Sequence, residues 1–80
     1  MKRHAKKAFT ELKNAGCPVK EWHDDTRGYF WIDSEEPEAE NWLDYWSNYW
    51  GTDRLNSILE KNGLYWEWAN SAVGHVHDIY

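Results

Sequence analysis

Aliphatic side chains are scarce in this chain. Leu, Ile, Val and Phe together fill 13 of 80 positions, a level at which a charged sequence commonly stays disordered because too little apolar area is available to offset chain entropy. Cross-linking cannot make up the shortfall, since a lone Cys17 forms no intramolecular disulfide. No apolar run follows the basic start Met1-Lys2-Arg3-His4, which excludes a membrane span or signal peptide in the reading of this sequence and leads to an expectation of cytoplasmic residence. Positive charge is absent from residues 28–53, a run of 26 positions that holds seven acids.

What the chain has instead is rings. Seven Trp and five Tyr can each bury roughly 150–250 Å², so an ordered domain with an aromatic core is expected. Eighty residues leave room for one such domain with a thin stability margin. The formal net charge is −5, and it is unevenly spread, because residues 1–20 carry six Lys or Arg against Glu11 alone. That balance disfavours direct binding to a phosphate backbone and favours a basic protein partner.

Periodicity gives the elements. Ala5, Ala8, Phe9 and Leu12 form an apolar stripe that predicts a helix over 2–15, stopped by Gly16 and Pro18. Residues 19–33 read as a hairpin around Asp24-Asp25-Thr26-Arg27-Gly28. In 34–50, Trp42, Tyr45, Trp46, Tyr49 and Trp50 recur at the spacing of one buried helix face. Ser34 as N-cap, early acids and Pro37 suit the start of that helix, and Gly51 its end. Thr52 opens a further helix over 53–62 with Leu55, Ile58 and Leu59 as buried positions, closed by Gly63. A second hairpin follows over 64–80 around the loop Asn70-Ser71-Ala72-Val73-Gly74.

The two ends look alike. Leu12-Lys13-Asn14-Ala15-Gly16 aligns with Leu59-Glu60-Lys61-Asn62-Gly63, and after a one-residue gap Glu21-Trp22 and Gly28 align with Glu67-Trp68 and Gly74. The expected fold is therefore α+β: a four-stranded antiparallel sheet from two β-hairpins, three helices mainly on one face, and an αββ unit used twice.

No constellation in the sequence carries diagnostic chemistry. His75 and His77 alternate on a strand and could approach His23 or Asp78, but two ligands on one strand do not define a metal site. Cys17 and His23 lack an evident orienting group or oxyanion donors. Adjacent carboxylates such as Asp24-Asp25 and Glu35-Glu36 diverge rather than form an acid–base pair. The basic first helix (Lys2, Arg3, Lys6, Lys7, Lys13) could touch nucleic acid, though no recognition motif stands beside it. The chain is read as non-enzymatic, with no cofactor and no metal. Tyr29 and Trp31 share a strand face with Asp33, which leaves a sugar- or nucleotide-binding module as the alternative class.

The acids of the middle stretch are the leading candidates for function. On a helix, Glu36, Glu40 and Asp44 follow one another at i, i+4 and repel by a few tenths of a kcal/mol per pair. Such a ridge places a charge about every 6 Å, so mimicry of a nucleic-acid backbone, with one charge per ~3.4 Å of a strand, requires Asp33, Glu35, Glu38, Asp24 or Asp25 on the same surface. In being small, acidic, cysteine-poor and without a catalytic motif, the chain resembles phage-borne inhibitors of host defence, including anti-CRISPR proteins and DNA-mimicking anti-restriction proteins. The resemblance is one of character over the whole chain and rests on no matched motif. It implies a partner with a basic groove for guide RNA or DNA, blocked by the acidic protein. A homodimer that buries leftover rings is a further expectation.

Overall fold

The computed structural model describes residues 1–22 and 28–79. Helix α1 spans Arg3–Asn14, with Ala5, Ala8 and Leu12 turned inward. Its end is set by Gly16 at φ 98°, a backbone state that disfavours any residue with a Cβ. There the Gly16 amide donates to the Lys13 carbonyl at 3.1 Å and the Cys17 amide to the Leu12 carbonyl at 2.9 Å, which satisfies two of the orphan carbonyls at the helix end. Helix α2, Asp53–Lys61, begins at Thr52, whose hydroxyl accepts from the Leu55 amide, and it buries Leu55, Ile58 and Leu59.

The strands are β1 (Val19–Glu21), β2 (Phe30–Asp33), β3 (Leu64–Asn70) and β4 (Val73–Asp78). They form one four-stranded antiparallel sheet in the order β1-β2-β4-β3. Two αββ units therefore sit side by side, joined through β2 and β4, with Phe30 opposite Val76 and Ile32 opposite Gly74. Val19, Phe30, Ile32, Leu64 and Val76 on one sheet face join Ala5, Ala8, Leu12, Leu55, Ile58 and Leu59 of the helices in a single core. A Lys61–Glu11 ion pair at 2.8 Å links α2 to α1 across their exposed sides. Among the described residues no helix is long and apolar enough to cross a membrane.

The internal alignment needs a different register. Continued from the glycine-stopped helix ends without a gap, Cys17 falls on Leu64 and Val19 on Trp66, all four in or against the core. The gap that matches Glu21-Trp22 to Glu67-Trp68 exchanges the sheet faces instead. Trp22 stacks on Trp31, whose β4 partner is His75, whereas Trp68 packs against the core on the helix side. The second hairpin also turns more tightly than its composition suggests. Only Ser71 and Ala72 lie between β3 and β4, and the extra residue is taken up by a register shift between Trp68 and Asn70. The Asn70 side chain accepts from the Ala72 amide at 2.8 Å, which closes the turn locally.

The third helix does not form, and this is the main correction. Residues 37–41 make a short 3-10 helix, Pro37–Asn41, and the chain then runs through turns to α2. Asp44 and Asn48 exchange backbone hydrogen bonds of 3.2 and 2.8 Å, enclosing Tyr45, Trp46 and Ser47. Asp44 Oδ1 accepts from the amides of Trp46 (2.9 Å) and Ser47 (3.3 Å), and the Asn48 amide group donates to the Glu40 carbonyl. Side chains that bond nearby backbone compete with a helical ladder, and Trp, Tyr, Asn, Ser and Asp are all weak helix formers.

The core is consequently more aliphatic than aromatic, with Phe30 and Trp42 its only buried rings among the described residues. All five leucines are buried, whereas among the seven Trp only Trp42 is. Of the segment between β2 and α2, only Ala39, Trp42 and Leu43 are buried. Arg54 covers the Trp42 ring with its guanidinium 4.8 Å from the centroid, an arrangement favourable to cation and ring alike. Leu43 passes over the sheet at Gly74, where a Cβ would lie 2.5 Å from its Cδ2. Gly74→Ala should therefore destabilise the fold by about 1–3 kcal/mol through overpacking. In urea unfolding, Leu43→Ala combined with Gly74→Ala should cost less than the sum of the two single changes.

Candidate interaction surface

The predicted acidic residues do not form a helical ridge, because the helix that would align them is absent. Asp33 and Glu36 are both engaged by Lys20 of β1, whose Nζ lies 2.7 Å from Asp33 Oδ2 and 3.3 Å from Glu36 Oε1. The hydrogen bond to Asp33, and after it the one to Glu36, raises the Lys20 pKa. The same ammonium sits 5.5 Å from the Trp31 ring centroid. Asp44 is occupied by the turn it closes. Asp24 and Asp25 lie outside the described residues. Glu35, Glu38 and Glu40 remain, exposed and without an ion pair among the described residues.

Later in the same segment the structure turns outward what periodicity had assigned to the core. Trp46 is 86% exposed and Trp50 80%, with Tyr49 at 40%. They stand on a scaffold of rings. Tyr45 meets Trp46, Tyr49 and Trp68 at centroid distances of 5.2, 5.2 and 5.3 Å, and Tyr49 meets Trp50 at 4.9 Å. The Trp68 indole N–H donates to the Tyr49 carbonyl at 2.9 Å, and the Tyr45 amide donates to Ser34 Oγ. The result is an aromatic knob held against β3. Its signal in the sequence is the set of Asp44, Ser47 and Asn48 interleaved with the rings, residues that favour turns over helix.

The remaining candidates are accounted for by their surroundings. Cys17 is buried, and desolvation pushes its thiol up to about 12, so the nucleophilic thiolate is absent near neutral pH. His75 and His77 do share a face, with rings 5.8 Å apart, and His77 Nε2 lies 3.4 Å from Glu67. Among the described residues no three His, Cys, Asp or Glu groups converge in a way that could hold a metal ion. Asp78 turns elsewhere: its carboxylate accepts from the Tyr29 hydroxyl and pairs with His4 Nε2, both at 2.6 Å. Tyr29 thus leaves the face of Trp31 and Asp33 and meets His4 of α1 ring to ring at 5.5 Å. His23 lies outside the described residues.

Two measurements follow from these environments. Native protein at mildly alkaline pH should leave Cys17 unlabelled by a thiol-reactive dye, with labelling appearing only in denaturant; rapid native labelling would contradict its burial. The Tyr29 hydrogen bond, and then that from His4, lowers the Asp78 pKa, so its contribution to stability is present above the unfolded value of 3.8 and is lost as pH falls through the lowered folded value. Thermal melts at about pH 6 and about pH 3 should accordingly show a smaller acid-induced drop for Asp78→Asn than for the unmodified chain.

No protein family, curated protein or solved structure matches the chain.

Proposed function

We propose that this protein is a non-enzymatic binding protein that engages a basic protein surface through the segment between β2 and α2. The observation that carries the reading is that one stretch without a positive charge holds both three exposed carboxylates, unpaired among the described residues, and two indoles that are more than three-quarters exposed. Trp and Tyr are the residues most often found as interface anchors, since they bring large contact area with few rotatable bonds. Carboxylates around such anchors steer the approach of a cationic partner and set its orientation.

The partner class suggested by the charge is a protein whose basic groove normally holds nucleic acid, a CRISPR effector being one such complex. Occupation of that groove blocks nucleic-acid binding and so inhibits the complex. Glu35, Glu38 and Glu40 supply the charge in this proposal, with Trp46 and Trp50 as anchors; Asp33 and Glu36 contribute less because Lys20 already neutralises them. The protein acts in the cytoplasm, where such complexes work.

Capture from a bacterial lysate, with identification of what is retained, tests the reading. The expected partner is a basic nucleic-acid-binding protein that elutes as salt is raised past the range in which surface charge is screened, about 0.15 to 1 M. Glu35→Lys, Glu38→Lys and Glu40→Lys combined should lower its affinity at least about tenfold, a loss of ~1.4 kcal/mol, while the melting temperature stays near that of the parent. Unchanged affinity in the triple variant would remove the carboxylates from the mechanism. A small-ligand module is the second reading, favoured by the same exposed indoles, which are platforms for a sugar ring or a base. Saturable changes in Trp fluorescence on titration with sugars or nucleotides, abolished by Trp46→Ala with Trp50→Ala, would support it over the first.

A further inference from the structure

The aromatic knob has a counterpart elsewhere on the same molecule. Along the outer side of α1, Arg3, Lys6, Lys7, Thr10, Glu11 and Asn14 line a shallow depression. Their spacing places them on one helix face. Glu11 is taken up by Lys61, but Arg3, Lys6 and Lys7 hold no ion pair among the described residues. The depression therefore has aliphatic stems for walls and unneutralised cations at its rim.

This chain repeatedly sets cations over rings: Arg54 over Trp42 at 4.8 Å, Lys20 over Trp31 at 5.5 Å and Lys13 over Phe9 at 5.8 Å. The most exposed rings, Trp46 and Trp50, have no such cation among the described residues, and Arg3, Lys6 and Lys7 have no anion among them. Within one molecule the two do not meet. α1 packs toward edge strand β1 and the knob stands on Trp68 of the opposite edge strand β3. Between two molecules they are complementary in charge and in chemistry, with Glu40, whose carbonyl accepts from Asn48 of the ring-bearing turn, on one side and Arg3, Lys6 and Lys7 at the groove on the other.

We propose that the chain self-associates head to tail, the Trp46 and Trp50 knob of one copy docking in the α1 depression of a second. Cation–π contacts and aliphatic stems hold the indoles, and the acids beside the knob face the basic rim. The two surfaces are different patches, so the contact is heterologous: each pair leaves one knob and one groove free, and assembly continues with concentration. The contact is small and partly ionic, so it is weak and sensitive to salt.

Sedimentation velocity on the whole chain tests this with no other component. Unmodified protein should show an average mass that rises with concentration and falls back toward one chain at about 0.5 M salt. Trp46→Ala with Trp50→Ala removes the knob, and Lys6→Glu with Lys7→Glu removes the groove. Each variant should sediment as a single chain, yet an equal mixture should give a complex of two chains and nothing larger, since each supplies the surface the other lacks. All four side chains are exposed, and far-ultraviolet circular dichroism reports whether each variant keeps its fold; should a pair unfold, Trp50→Ala alone and Lys7→Glu alone serve in the same mixture. Single-chain behaviour of the unmodified protein at every concentration overturns the proposal. So does a mixture that fails to form the two-chain complex, or a single variant that assembles as well as the parent. Because the partner reading is judged on the glutamate variants, loss of self-association leaves it standing.

Discussion

The contact between Leu43 and Gly74 organises much of this molecule. A side chain at position 74 would occupy the space where the Leu43 methyl lies, so the absence of a Cβ on β4 is what lets the segment between β2 and α2 settle on the sheet. Once Leu43 is seated, Trp42 lies under Arg54 and Ala39 is buried at the turn before it. The residues that follow, from Asp44 to Arg54, add no buried side chain to the core. They turn outward, and the rings of 45–50 pack on one another and on Trp68 instead of on the interior. With so few aliphatic residues available, every leucine is committed to the interior, each worth about 1.5–3 kcal/mol when fully buried. The surplus of aromatic area is left at the surface.

This distribution separates what was legible in the sequence from what was not. The glycine stops at Gly16 and Gly63 read correctly because a positive φ is a local requirement that residue type alone can report. The inward residues of the helices, Leu12 of α1 and Leu55, Ile58 and Leu59 of α2, follow from simple spacing, as does the pairing of two hairpins into an antiparallel sheet. The segment 34–50 misled because its rings recur at helical intervals for no helical reason. Asp44, Ser47 and Asn48 between them hold turns, and a periodicity count gives them no weight. The expected ridge was lost in the same place: the Glu36, Glu40 and Asp44 alignment required the helix, and the exposure of Trp46 and Trp50 follows from its absence. The repeated Glu-Trp pair failed for a related reason, since identity was matched without asking which sheet face each Trp would take.

Charge on this surface is likewise decided by neighbours. Lys20 spends its one charge on two carboxylates and rests on Trp31 besides, which fixes β1 to the start of the segment. His4 and Tyr29 together hold Asp78 and so tie α1 to the end of the sheet. Counting acids along the chain treats all of them as equivalent. In the folded molecule some are structural fasteners, whereas others, Glu35, Glu38 and Glu40 among them, are exposed with no ion pair among the described residues.

The segment between β2 and α2 is secured at its ends. The Ser34 amide donates to the Ala72 carbonyl and the Thr52 amide to the Trp42 carbonyl, each at 2.9 Å, and between those points only three side chains enter the core. The other positions answer to the turn and to whatever the surface meets. Exchanging Glu35, Glu38, Glu40, Trp46 or Trp50 there removes an exposed side chain, whereas exchanging Ala39, Trp42 or Leu43 removes a buried one. The core therefore constrains three positions of the segment tightly and its outward-facing ones only through the turns and ring contacts they form.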